Sequence, residues 1–128
     1  MVTKQPAKNK QKVLLIADDE PNVRLLVKRT FEPEYAVIEA VNGKQAADLA
    51  LSAKPDIILM DIMMPHVDGL TALNTIKANQ RTARIPVVML TGLGFDLNEQ
   101  LAAKLGAIAY IKKPVAPREL FDIVRKIA

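Results

Sequence analysis

The sequence predicts a single α/β domain built on a doubly wound sheet of five parallel strands. Two observations carry this prediction. Five short apolar runs alternate with five segments that have apolar residues at helical spacing, and strict alternation indicates parallel strands, right-handed crossovers and helices on both faces. The chain has 128 residues, 50% of them hydrophobic, which is enough for one core without disulfides or a structural metal.

Each predicted strand is a short, mostly apolar run that a charge, a proline or a glycine bounds, as is typical of strands buried on both faces. The central run leads directly into Asp61 and the turn Met64-Pro65. Taken alone, Asp61 is a metal ligand, a nucleophile or the cap of the next helix. In chain order, the strands are predicted at Val13–Ala17, Ala36–Ala40, Ile57–Met60, Val87–Leu90 and Ala107–Ile111.

One helix is predicted after each strand, because apolar residues recur there at helical spacing. Pro21 suits the first turn of the first helix, and Pro33 stops it near Glu32. Asn42 is expected to cap the second helix, and Gly106 to end the fourth. The apolar stripes of the last four helices are Ala46, Leu49, Ala50 and Ala53; Leu70, Leu73 and Ile76; Leu97, Leu101 and Leu105; and Leu120, Ile123, Val124 and Ile127.

Basic charge is concentrated near the amino-terminal end. Four lysines and no acid lie in the first twelve positions, so the remaining 14 basic residues balance the 14 acidic ones. We expect residues 1–11 to form a basic, disordered leader and residues 12–128 to form the domain. Nucleic-acid binding is not expected, because no aromatic residue accompanies those lysines. The lack of cysteines, of a signal peptide and of a membrane-length apolar run favours a cytoplasmic protein without membrane contact.

Polar side chains follow four of the five predicted strands. Asp18-Asp19 follows the first strand, Asp61 the third, Thr91 the fourth and Lys112-Lys113 the fifth, whereas the second strand lacks such a group. The carboxyl ends of parallel strands lie at one edge of a sheet, where ligands bind. We therefore expect three carboxylates, a hydroxyl and an ammonium group to converge on one pocket.

The chemistry of such a pocket is restricted. Clustered carboxylates repel one another unless a cation joins them, and ligands that are all oxygen favour a hard ion, usually Mg²⁺. A neighbouring lysine and threonine can hold the oxygens of a phosphoryl group. The pocket therefore indicates phosphoryl transfer to a carboxylate. An ionised carboxylate needs no base, and His66, the only histidine, is interpreted as a surface loop residue.

Over about residues 12–128 the sequence resembles the receiver domain of two-component response regulators, of the kind found in chemotaxis regulators. The resemblance implies a flavodoxin-like fold with strand order 2-1-3-4-5. The residues that carry it are Asp18-Asp19, Asp61, Met64-Pro65, Gly69, Thr91 and Lys113-Pro114.

The resemblance also implies residue roles. Asp61 would accept a phosphoryl group from a sensor histidine kinase, a phosphotransfer protein or a small donor such as acetyl phosphate. Asp19, Asp61 and the backbone carbonyl of Met63 would hold Mg²⁺, with Asp18 contributing directly or through water. Lys113 would pair with the phosphate or, before phosphorylation, with Asp61.

Thr91 and Tyr110 match the switch pair of the family. On phosphorylation the Thr91 hydroxyl would move inward and the Tyr110 ring would follow, which reshapes the surface of helix 4, strand 5 and helix 5. That surface would control a downstream protein or output domain and is a possible homodimer contact. Without the resemblance, Tyr110 is an ordinary half-buried aromatic residue. Pro114 resembles the cis-proline that aims Lys113 into the pocket.

Other positions depart from the common pattern. Gly92 follows Thr91 where alanine is frequent, and Val115 replaces a frequent phenylalanine. Met63 and Leu93 lie where side chains flank the phosphoryl group, and neither can activate a water molecule. We therefore expect no unusually fast self-dephosphorylation.

Three other functions were weighed against this interpretation. A Mg²⁺-dependent phosphatase with an aspartyl nucleophile would need a second acid at position 63, which is Met63 here. A dinucleotide-binding domain would need glycines where Asp18-Asp19 stands. A phosphorylation-independent, receiver-like interaction module usually lacks a key residue, and none is missing. The cognate kinase, the output and any further domains stay open.

Overall fold

The structure is a computed structural model that describes residues 11–92 and 96–128, so residues 1–10 of the predicted leader lie outside the described residues. In the described part, five strands alternate with five helices, as predicted. The strands are β1 Lys12–Ala17, β2 Tyr35–Ala40, β3 Ile57–Asp61, β4 Val87–Thr91 and β5 Ala109–Lys112. The helices are α1 Pro21–Phe31, α2 Gly43–Ala53, α3 Gly69–Ala78, α4 Asp96–Lys104 and α5 Pro117–Ile127. None of these helices has the length and apolar character that crossing a membrane requires.

The five strands form one sheet in the order β2-β1-β3-β4-β5, and every neighbouring pair is parallel. The predicted doubly wound, flavodoxin-like architecture is therefore confirmed. The register matters for function because it aligns the carboxyl ends of the strands. Asp61 lies opposite Leu90, and Thr91 lies opposite Lys112.

Alternate strand residues enter two apolar clusters, one on each face of the sheet. Leu15, Ile58 and Met89 belong to the cluster beneath α2, α3 and α4, whereas Leu14 and Leu59 belong to the cluster beneath α1 and α5. All five are fully buried, and burying each such side chain contributes about 1.5–3 kcal/mol. Because successive side chains of a strand point to opposite faces, each of these strands packs into both apolar clusters, and this packing holds the sheet in place.

The helix ends follow the predicted signals. The side chain of Asn42 accepts the backbone N–H of Gln45 (2.8 Å), which confirms the expected cap of α2. Gly106 has φ +107°, a left-handed conformation that suits the residue just after α4. Asp68 caps α3 by accepting the Thr71 N–H (2.8 Å), a role that the sequence analysis did not assign.

Two details of the sequence prediction were wrong. Strand β5 begins at Ala109 and not at Ala107, because the N–H of Ala107 donates to the Ala102 carbonyl in the turn that ends α4. In α4 the buried position is Ala102, while Leu101 is 42% exposed. The inward face therefore includes Ala102 instead of the predicted Leu101, whereas the predicted Leu105 does pack against the apolar cluster. The side chain of Leu97 lies outside the described residues.

Candidate active site

Acidic side chains meet where β1 and β3 leave the sheet. Asp18 directly follows β1, and Asp61 is the last residue of β3. Carboxylate oxygens of Asp18, Asp19 and Asp61 all lie within 4.8 Å of one another. Asp18 is fully buried and Asp61 is 3% exposed, whereas Asp19 faces solvent. The predicted convergence of the three acids is therefore present in the structure.

Lys113 lies among these acids. Its Nζ is 2.8 Å from Oδ2 of Asp18, 3.0 Å from Oε1 of Glu20 and 3.5 Å from Oδ2 of Asp61. The Lys113 N–H donates to the Thr91 carbonyl (2.6 Å), which ties the lysine to the end of β4. The resemblance implied a pair between Lys113 and Asp61, but the ammonium group lies nearer to Asp18 and Glu20.

Glu20 is a site residue that the sequence analysis missed. Its acidic run with Asp18-Asp19 was visible, but Lys113 is 93 positions away and reaches it only through the parallel sheet. The peptide bond between Lys113 and Pro114 is cis, as the resemblance implied.

The acid cluster perturbs the protonation of its members. Burial, followed by the negative charge of Asp18, raises the pKa of Asp61 from its ordinary 3.8 to about 6. The charge of Lys113 and a hydrogen bond from the Met63 N–H oppose this rise in the pKa of Asp61. Burial lowers the pKa of Lys113, but hydrogen bonds to Asp18 and Glu20 and the charges of Asp18 and Asp61 raise it overall. The lysine is therefore a permanent cation at this site.

The loop after Asp61 is packed closely against it. The Gly69 N–H donates to the carbonyl of Ile62 (2.8 Å), and a Cβ added at Gly69 would overlap the carbonyl oxygen of Asp61. The loop leaves the side chain of Met63 72% exposed beside the acids, and His66 is also exposed, as expected. Gly69 therefore allows the start of α3 to approach the acceptor strand.

Thr91 and Tyr110 lie on the β4–β5 side of the site. Thr91 is 3% exposed at the end of β4. Tyr110 is half-buried and packs against the apolar cluster beneath α2, α3 and α4. Its hydroxyl is buried and has no hydrogen-bond partner among the described residues.

Strand β2, which has no polar group directly after its last residue, contributes to the site indirectly. Glu39 of β2 accepts a hydrogen bond from Nε of Arg24 (2.9 Å), and Nη1 of the same guanidinium donates to the carbonyl of Asp18 (2.9 Å). The sequence carried no signal for this link, because the pattern predicts Glu39 only as an exposed residue of an edge strand.

The donor set of the cluster fits Mg²⁺, because the three clustered side chains all offer carboxylate oxygens, which hard cations prefer. Both oxygens of Asp18 are already engaged, Oδ1 with the Glu20 N–H (2.9 Å) and Oδ2 with Lys113. Asp19 and Asp61 are therefore the carboxylates best able to contact an ion directly.

Comparison with known proteins agrees with this geometry. The family described as response regulator receiver domain matches residues 14–125. The chain is 38% identical over 110 residues to the phosphate regulon transcriptional regulatory protein PhoB of Pseudomonas aeruginosa, covering 85% of this chain and 48% of that protein. It spans about half the length of the curated relatives that it matches.

Solved structures give the same result. The chemotaxis protein CheY4 of Vibrio cholerae has a TM-score of 0.87 at 25% identity, covering 93% of this chain and 100% of that one. The receiver domain of the sensor histidine kinase PA1611 from Pseudomonas aeruginosa has a TM-score of 0.84 at 26% identity, covering 92% and 98%, and that structure has a magnesium ion in its active-site cleft. This chain therefore belongs to the receiver-domain family of two-component response regulators.

Proposed function

We propose that Asp61 accepts a phosphoryl group from the phosphohistidine of a sensor histidine kinase or a phosphotransfer protein, and that this modification switches a protein-binding surface. The observation that carries the proposal is the nearly buried carboxylate of Asp61, which has Lys113 and the Asp18-Asp19 pair as neighbours. A buried acid cluster with one fixed cation is costly for stability. Such clusters are typical of sites that serve binding or chemistry.

The transfer step uses groups already at the site. A carboxylate oxygen of Asp61 attacks phosphorus, a P–O bond forms, and the P–N bond breaks with its electron pair returning to the imidazole of the donor. With a pKa of about 6, Asp61 is mostly ionised at pH 7.5 and needs no general base. The ammonium group of Lys113 then neutralises the phosphoryl oxygens, and the Thr91 hydroxyl donates to one of them.

Mg²⁺ is the proposed cofactor. When bound, the ion neutralises charge on the carboxylates and on the phosphoryl oxygens during transfer. Asp19, Asp61 and the backbone carbonyl of Met63 would hold it, and Asp18, whose two oxygens are already engaged, would contribute through water.

Thr91 and Tyr110 are the proposed switch. Once the phosphoryl group draws the Thr91 hydroxyl inward, the Tyr110 ring moves into the space beside β4 and changes the surface of α4, β5 and α5. The unpartnered Tyr110 hydroxyl supports a side chain with more than one acceptable position. We propose that this surface controls a downstream protein or an output domain in the cytoplasm, and that it also serves homodimer formation. Neither nucleic-acid nor membrane contact by this domain is part of the proposal.

Intact-mass measurement after incubation with acetyl phosphate and Mg²⁺ tests the acceptor. We expect a gain of one phosphoryl group that requires Mg²⁺ and is absent in Asp61→Asn. Asp48→Asn is the matched control, because Asp48 is exposed and, among the described residues, pairs with Lys44 alone (3.1 Å). Retention of the full mass gain in Asp61→Asn would overturn the assignment.

The alternative, an interaction module that works without phosphorylation, has its own signature. It predicts no mass gain from acetyl phosphate and none from a panel of phosphorylated kinases, although the protein is folded. Either donor class labelling Asp61 would exclude this alternative.

We expect no unusually fast self-dephosphorylation, because Met63 beside the acceptor offers no group to activate water. The decay of the phospho-form can be followed by intact-mass measurement after the phosphorylated protein has been separated from the donor. Decay within seconds in purified protein would contradict this expectation.

A further inference from the structure

A charged link joins the acidic loop to the edge strand β2. The guanidinium of Arg24 in α1 donates from Nη1 to the Asp18 carbonyl and from Nε to the Glu39 carboxylate, both at 2.9 Å. The Arg24 side chain is 17% exposed, so the guanidinium is largely covered, whereas the Glu39 side chain is 35% exposed. A planar guanidinium can satisfy both acceptors at once in a fixed geometry, which a lysine cannot do.

This link acts on the backbone that carries Asp19. The N–H of Asp18 donates to the Ala40 carbonyl of β2 (3.0 Å), and the carbonyl of Asp18 is linked to β2 through Arg24 and Glu39. The carbonyl of Asp18 belongs to the peptide that leads into Asp19. In contrast, the Asp19 carboxylate has no side-chain partner among the described residues, so its direction depends on this peptide.

We propose that Arg24 is a positioning residue for Mg²⁺ binding: it fixes the Asp18–Asp19 peptide, and Glu39 orients its guanidinium. This inference rests on the proposed function, which assigns Asp19 as a ligand. Groups that orient metal ligands without touching the metal change affinity about 10- to 100-fold when they are removed.

A positioning role for Arg24 predicts a change in Mg²⁺ affinity that is opposite in sign to the change expected from charge alone. Arg24 is a cation near a cation site, so through-space electrostatics alone predicts that Arg24→Gln binds Mg²⁺ more tightly. A positioning role predicts weaker Mg²⁺ binding in Arg24→Gln, because loss of the guanidinium releases the Asp18 carbonyl. Lys28 supplies the matched control, since it lies on the same helix and pairs with Glu39 (3.4 Å) but does not contact Asp18.

Calorimetric titration of the unphosphorylated full chain with MgCl₂ tests this. We expect Arg24→Gln to weaken Mg²⁺ binding about tenfold, Arg24→Lys to weaken it less, and Glu39→Gln to weaken it about threefold. Lys28→Gln should stay within about twofold of the unsubstituted protein. At saturating Mg²⁺, Arg24→Gln should recover the full rate of phosphorylation from acetyl phosphate, because Asp61 and Lys113 are untouched.

Unchanged or tighter Mg²⁺ binding in Arg24→Gln would overturn the inference. If Arg24→Gln does not fold, as judged by circular dichroism, Arg24→Lys and Glu39→Gln carry the test, and affinities equal to that of Lys28→Gln in both would overturn it. The proposed function fails separately: an unsubstituted protein that binds no Mg²⁺ refutes both, whereas normal binding and phosphorylation in every variant refutes the role of Arg24 alone.

Discussion

The two halves of the candidate site differ in how firmly they are held. On the acidic half, Asp18 forms hydrogen bonds through its amide, its carbonyl and Oδ1, and its Oδ2 forms an ion pair with Lys113 (2.8 Å). On the half formed by the ends of β4 and β5, the Tyr110 hydroxyl is buried without a hydrogen-bond partner among the described residues. A cation site benefits from ligands held in advance, whereas a switch needs a part with two arrangements of similar energy.

Gly69 and Gly92 show a similar difference between the two halves of the site. A Cβ on Gly69 would overlap the carbonyl of Asp61 and lie 2.9 Å from the Cα of Ile62. A Cβ on Gly92 would meet no described atom within 4 Å. Among the described residues, the start of α3 therefore packs closely against the acceptor strand whereas Gly92 does not have such a close neighbour, and substitutions at the two positions should differ in cost.

Gly69→Ala should have the largest effect. The new methyl group has only backbone to displace, so we expect a loss of about 3 kcal/mol in the free energy of unfolding, measured by urea denaturation. A loss below about 0.5 kcal/mol would show that the start of α3 can move away from Asp61, and would break the contrast between the two halves.

Asp61→Asn should stabilise the protein in buffer with a chelator at pH 7.5, by about 2 kcal/mol. The reason is that the folded state holds an ionised, buried carboxylate beside Asp18, and the pKa of Asp61 is raised from 3.8 to about 6. The folded state therefore binds a proton more readily than the unfolded chain between these values, and the stability of the unsubstituted protein falls as pH rises through this window.

The difference in stability between Asp61→Asn and the unsubstituted protein should therefore increase between about pH 4 and pH 6 and stay constant above about pH 6. Thermal unfolding across this range checks the prediction, with Asp48→Asn as the control for an exposed carboxylate. A stability difference that does not change with pH would refute the electrostatic explanation.

Tyr110→Phe should stabilise the unphosphorylated protein by about 1 kcal/mol, because it removes a buried hydroxyl that lacks a partner while keeping the ring. Chemical denaturation measures this, and Tyr35→Phe is a suitable comparison because Tyr35 is a buried tyrosine, whereas Tyr110 is half-buried with a buried hydroxyl. A clear loss of stability in Tyr110→Phe would mean that the hydroxyl is satisfied in solution and that this half of the site is as fixed as the other.

Gly92→Ala should have the smallest effect, within about 0.5 kcal/mol and towards greater stability. No described atom would lie within 4 Å of the new methyl group, Gly92 does not have the left-handed conformation found at Gly106, and alanine restricts the unfolded chain. Destabilisation similar to that of Gly69→Ala would remove the distinction between the two sides.

Much of this arrangement could be predicted from local sequence. Apolar runs and proline or glycine signals located all ten elements, since strands buried on both faces need nearly continuous apolar residues. Leu101 was wrongly assigned to the inward face of α4 because alanine and leucine both fit a helical period, and only the space beneath the helix selects Ala102 as the buried residue. Glu20 and Arg24 were missed because their partners Lys113 and Glu39 are distant in the sequence.

The sequence by itself determined the alternation of elements, the parallel sheet and the edge at which Asp18, Asp61 and Lys113 would meet. These follow from periodicity and chain connectivity, which are local properties. Only the tertiary structure decided that Lys113 lies closer to Asp18 and Glu20 than to Asp61, and that Glu39 supports the acidic loop through Arg24. Distances between side chains on different strands depend on register and packing, and no local pattern encodes them.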